Sequence, residues 1–137
     1  MKYLFIGAMG ILLAGCVITD DGIGINQPNV PVNVCINAVS DVEAENFKNQ
    51  IASEPFKDDR LTRGMMLGEN RCFQASQVVT VMDGFTFDDN KLEIAKFLYT
   101  RTEDRQNYQI VIDALTFQSN KDELRNYILL VLSLIHI

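Results

Sequence analysis

Histidine is all but missing from this 137-residue chain: the only one is His136, next to the last residue. That excludes a histidine-based triad over nearly the whole sequence, and neither a nucleophile elbow nor a phosphate-binding glycine loop is present. Cysteine is scarce as well, with three residues, and neither Cys35 nor Cys72 has a histidine or a second cysteine at metal-ligand spacing, which argues against zinc. Basic residues are in the minority, with 12 Lys plus Arg against 18 Asp plus Glu and a formal net charge of −6. A phosphate-binding surface needs clustered positive charge, whereas here the positive residues are scattered among carboxylates, so nucleic acid is not an expected partner. The length allows one domain with a modest core.

The N-terminal apolar run is short. Tyr3 to Leu13 follows the minimal positive pair Met1 and Lys2 and cannot cross a hydrocarbon core of about 30 Å as a mature helix. It ends in Leu13-Ala14-Gly15-Cys16, which resembles the lipobox of a bacterial lipoprotein signal peptide. The resemblance implies that residues 1–15 are removed, that small Ala14 and Gly15 admit the peptidase, and that Cys16 receives a diacylglycerol and becomes the first residue. Acyl chains partition at about 0.8 kcal/mol per buried methylene, so two or three of them anchor a protein to a bilayer durably. The expected address is the bacterial cell envelope, with the membrane as partner through the N-terminal lipid. Val17 after the cysteine implies, by the same resemblance, outer-membrane retention, and Asp20-Asp21 add the cell surface as an alternative face. The competing reading is an ordinary secretory signal in which Cys16 is incidental.

At the other end, Leu132-Ser133-Leu134-Ile135-His136-Ile137 matches, codon for codon, the transposon mosaic-end DNA used in sequencing libraries, CTG TCT CTT ATA CAC ATC. Residues 132–137 are therefore read as adapter sequence, and the native C-terminus is expected beyond residue 131. The alternative is a genuine apolar helix end. Discarding the stretch removes His136, and with it the last histidine.

With Cys16 assigned to lipid, Cys35 and Cys72 remain as a pair in an oxidising compartment, and a Cys35–Cys72 disulfide is expected. Closing a loop of about 37 residues stabilises a fold by roughly 3–4 kcal/mol on chain-entropy grounds. Two buried free thiols are the alternative. Residues 16–39 carry Gly22, Gly24, Pro28 and Pro31 without helical periodicity and read as the lipidated cysteine and a flexible tether, with Val30 to Ile36 available as a short extended segment. About 20 flexible residues span roughly 25 Å.

From Ser40 the pattern changes to amphipathic helices. Phe56, Phe87 and Phe117 recur at an interval of about thirty, preceded nine positions earlier by Phe47, Val78 and Tyr108 and five earlier by Ile51, Met82 and Ile112. Val78, Val81, Met82 and Phe85 form an i, i+3, i+4, i+7 stripe, and so do Tyr108, Val111, Ile112 and Leu115. Each unit reads as a helix, a phenylalanine-bearing turn and a second helix starting at a polar cap: Asp58 or Asp59, Asp88 or Asp89, and Ser119 with Asp122. Ser40 with Glu43 predicts a capping box for the first helix. Across the second helices Leu61 corresponds to Leu92, Gly64 to Ala95, Met66 to Phe97 and Leu67 to Leu98, while the third unit drifts by two residues at Leu124, Tyr127, Ile128 and Val131. The expected fold is all-α, about three approximate helical hairpins in a compact domain over residues 40–131.

FTFDDNKLEIAKFLY at Phe85–Tyr99, flanked by CFQASQV at Cys72–Val78 and NYQIVIDALTF at Asn107–Phe117, resembles the family catalogued as domain of unknown function 4476, over roughly residues 38–131. The combination of QV, the FxF turn and the KLExAK helix start goes beyond a generic amphipathic pattern. The resemblance implies a compact helical domain often borne on bacterial lipoproteins, and it carries over no catalytic residue. Gly64 and Gly68 depart from the strong helix formers usual there, which predicts a short or frayed second helix in the first unit.

Acidic pairs Asp58-Asp59 and Asp88-Asp89 have a catalytic reading, but neighbours at a helix start point apart, and capping at the positive dipole end is the expectation. Asp83 to Glu93 lacks the alternating oxygens and central glycine of an EF-hand, so no calcium site is assigned. Ser40, Ser76 and Ser119 stand where caps are expected. Phe85, Phe87, Tyr99, Tyr108, Phe117 and Tyr127 are read as core, with a partly exposed binding strip as the alternative. No catalytic, cofactor-binding or metal residue is assigned and no cofactor is expected. The chain is expected to be no enzyme but a binding or scaffolding module with an envelope protein as partner, since helical-hairpin arrays offer surfaces. The rival is an enzyme or enzyme accessory whose catalytic part lies beyond residue 131.

Overall fold

A capping box opens the domain: the Ser40 hydroxyl accepts the Glu43 amide at 3.1 Å while the Glu43 carboxylate accepts the Ser40 amide at 3.0 Å. In the computed structural model, which describes residues 35–135, this box starts α1 (Asp41–Ala52). There follow α2 (Lys57–Gly68), α3 (Ala75–Met82), α4 (Asp88–Tyr99), a 3-10 turn (Arg105–Asn107), α5 (Gln109–Asp113) and α6 (Gln118–Ile135). The described domain is all-α and consists of three consecutive hairpins. Their first helices stack α1 on α3 on α5 and their second helices α2 on α4 on α6, giving two layers with the core between them.

The stripes predicted from spacing face that core. Ile51, Phe73, Val78, Met82, Ile94, Leu98, Val111, Leu115 and Leu124 are the largest fully buried side chains, each contributing about 1.5–3 kcal/mol on burial. Helix caps register the units as well as the phenylalanines do: counted from Ser40, Gln74 and Asp104, the buried sets are Ala44, Val78 and Tyr108, then Phe47, Val81 and Val111, then Ile51, Phe85 and Leu115. The stretch from cap to phenylalanine is three residues longer in the first unit, with Pro55 in its turn, so the two registers differ there.

α2 is neither short nor frayed. It runs for 12 residues, like α4, although Gly64 in its interior costs about 1 kcal/mol relative to alanine and Gly68 is its last residue. Their packing explains it: a Cβ at Gly64 would lie 3.1 Å from Ile94 Cδ1 and Phe85 Cζ, and one at Gly68 would lie 2.9 Å from Leu98 Cδ2. The missing side chains let α2 approach α4 closely.

Parallel bridges knit the units between hairpins. Ala38 pairs with Cys72 and Phe73 with Thr102, the only β pairing among the described residues. Val39 donates its amide to the Cys72 carbonyl at 2.9 Å and is itself buried. Residues 35–39, included in the tether on sequence grounds, thus pack as part of the domain. No described helix is long and apolar enough to cross a membrane.

Candidate functional site: the phenylalanine edge

Each second helix begins directly after a phenylalanine. Phe56 (φ −111°, ψ 144°) and Phe87 (φ −98°, ψ 135°) occupy the extended N-cap position, where neither supplies a side-chain cap, and Phe117 precedes α6 in the same way. The expected caps Asp58, Asp59, Asp88, Asp89 and Ser119 are therefore corrected: α4 does start at Asp88, but all five residues lie inside the first turn and the cap position belongs to the residue before the helix. Ser76 likewise follows its cap, Gln74, whose amide donates to Gln77 Oε1 at 2.9 Å. Among these serines only Ser40 is a cap.

The phenylalanines are exposed, Phe56 by 67%, Phe87 by 53% and Phe117 by 60%. Lys57 Nζ stands 5.6 Å from the Phe87 ring centroid, within cation–π range. Hydrogen bonds from one helix start to the next put them along a single edge. Asn90 Nδ2 donates to the Lys57 carbonyl at 2.9 Å, and the equivalent Asn120 Nδ2 donates to Asp88 Oδ2 at 2.7 Å and to Asp89 Oδ1 at 3.1 Å. Aromatics from the sequence thus divide: Phe85, Tyr99 and Tyr108 are core, Tyr127 is half-buried, and Phe87 and Phe117 are on the edge. Buried Tyr108 meets Tyr99 edge to face at 4.9 Å and donates to the Ala95 carbonyl at 2.5 Å, and burial pushes its phenol above the ordinary value.

Asp88 caps the neighbouring unit rather than its own helix. Its carboxylate accepts the Thr116 amide at 2.7 Å, the Phe117 amide at 3.2 Å and Asn120 Nδ2 at 2.7 Å. Burial alone would raise its pKa, but these donors outweigh burial and hold it below the usual value. The Asp88 and Asp89 carboxylate oxygens invoked in a catalytic or calcium reading are thus directed at protein N–H groups. Among the described residues there is no group of three or more His, Cys, Asp and Glu side chains placed to hold a metal.

A shallow cleft of about 200 Å³ is lined by Glu54, Asp59, Thr62, Arg63 and Met66, and Arg63 is already paired with Glu54 at 2.6 Å. Lys96 joins α4 to α6 through Glu123 at 2.5 Å. Cys35 and Cys72 are bonded to one another, with Cα atoms 6.1 Å apart. Leu13, Ala14, Gly15 and Cys16 lie outside the described residues.

The family model described as domain of unknown function (DUF4476) matches residues 38–128. The chain belongs to this family. No curated protein and no solved structure matches the chain. The DUF4476 span runs from the Ala38 bridge to Ile128 in α6, so it takes in all three phenylalanines and the Asp88–Asn120 contact.

Proposed function

We propose that this chain is a lipid-anchored envelope protein whose DUF4476 domain binds or scaffolds a protein partner along the phenylalanine edge. The observation that carries the reading is the recurrence of an aromatic side chain, more than half exposed, at the same point of three stacked hairpins. Single exposed apolar residues are ordinary, but an aligned set offers a partner repeated anchors of the type that dominate protein interfaces. Anchoring rests on Leu13-Ala14-Gly15-Cys16. The acidic net charge of −6 repels an anionic membrane surface, leaving acyl chains as the attachment.

The binding reading is tested with the triple variant Phe56→Ser, Phe87→Ser, Phe117→Ser, whose circular dichroism should match the parent. A partner cross-linked to the parent and lost from the variant supports the reading; an unchanged set of partners contradicts it. Anchoring is tested separately by labelling cells with palmitate: label should enter the parent and be absent from Cys16→Ser.

A further inference from the structure

Cys35 stands just before α1 and Cys72 just after α2, so their bond closes a loop that contains the first hairpin and no other helix. We propose that this bond is a redox-controlled clip: closed, it keeps the first hairpin seated, and opened, it lets α2 lift from α4 while α3 to α6 stay folded.

α2 is held by much less burial than α4, the helix it packs on. Only Gly64 and Gly68 are buried along it, with Leu61, Met65 and Leu67 half-buried, whereas α4 buries seven residues. Its two glycines lower its intrinsic helicity, and local opening concentrates where buried apolar contact is sparse. Beneath it lie Phe73, Phe85, Ile94 and Leu98, all nearly inaccessible, which opening would uncover. Beside the hydrogen bond from the buried Val39 amide to the Cys72 carbonyl, the non-covalent ties around the clip are polar and near the surface. Arg71 Nε donates to the Asn37 carbonyl at 3.0 Å, Arg71 Nη2 to Glu43 at 2.8 Å, and Asn37 Nδ2 to the Asn70 carbonyl at 3.2 Å. Both cysteines are half-buried, within reach of a small reductant.

Opening needs a dithiol donor. Its thiolate attacks one sulfur and expels the other as a thiolate, which takes a proton; the donor's second thiolate then displaces the remaining cysteine, which is protonated in turn. Two electrons and two protons reach Cys35 and Cys72, and the donor leaves as a disulfide. The clip limits the freedom of the opened hairpin, so its loss should speed amide exchange in α2 by on the order of a hundredfold to a thousandfold, from the loop-closure entropy of about 37 residues.

The test is hydrogen exchange on the chain in its oxidised and dithiol-reduced forms, and on Cys35→Ser with Cys72→Ser. Faster exchange confined to residues 41–68, the same in the reduced form and the double variant, is expected. Unchanged exchange would overturn the proposal. So would an increase spread equally over α3 to α6, or loss of helical signal, since the bond would then support the whole fold. None of these readouts depends on lipid at Cys16 or on a partner at the phenylalanine edge.

Discussion

Asn120, in the first turn of α6, reaches back one unit to the Asp88 carboxylate at 2.7 Å, and both residues are buried. Asp88 is thereby the joint between the second and third hairpins. Replacing it with alanine leaves the part-buried Thr116 and Phe117 amides without their acceptor and leaves Asn120 with Asp89 alone. Hydrogen bonds to a charged group contribute about 1.5–3 kcal/mol each, the higher figure where the donor is left buried. Asp88→Ala should lower stability by roughly 2–4 kcal/mol, read from the urea midpoint.

The same joint sets an acid limit. The Asp88 pKa is lowered in the folded state, whereas an unfolded aspartate titrates at about 3.9. Its stabilisation is therefore complete above about pH 5 and is lost as pH falls through 3.9 and on through the lower folded value. Urea midpoints measured from pH 6 to pH 3 should fall less steeply for Asp88→Asn than for the parent.

Glycines of the first and second units should respond differently to alanine. At Gly84 a Cβ would lie 2.8 Å from the Lys48 carbonyl oxygen, which is backbone and cannot swing aside. At Gly64 the nearest atoms are the ends of the Ile94 and Phe85 side chains at 3.1 Å. Overpacking costs about 1–3 kcal/mol, so Gly84→Ala should lose that much. Gly64→Ala should lose less, because side-chain adjustment and the better helix propensity of alanine offset the contact. Chemical denaturation of the two variants side by side checks the order.

Edge and core phenylalanines should separate cleanly. Phe73 is 1% exposed and meets Phe47 edge to face at 6.3 Å, and Phe→Ala in a core costs about 3–5 kcal/mol. Phe56→Ser, Phe87→Ser and Phe117→Ser should each destabilise by no more than about 0.5 kcal/mol, since serine is a favoured N-cap and offsets the loss of a half-exposed ring. Thermal melts of all four variants decide it.

Local features were legible in the sequence. The Ser40–Glu43 box and the Val78 and Tyr108 stripes depend on residues within a few turns of one another, the phenylalanine interval on simple recurrence of a residue type, and the three hairpins follow from them. What the sequence hid lies one unit away. The donors to Asp88 are at 116, 117 and 120, so an aspartate at a helix start read as its own cap. Gly64 and Gly68 read as weak points because their partners, Ile94 and Leu98, are some thirty residues on. Phenylalanine at an N-cap runs against the usual preference for small polar residues, so the polar residues after it drew the assignment. Core and edge aromatics look alike by residue type. Only the stacking of helix starts separates Phe87 and Phe117 from Tyr99 and Tyr108.

The most direct measurement places a photo-reactive amino acid at Phe56, Phe87 or Phe117 in turn, with exposed Val42 on α1 as the control, and irradiates intact cells. The same discrete adduct from all three edge positions and none from Val42 is the predicted result. Absence of adducts from the edge, or an identical pattern from Val42, would contradict a binding role for it.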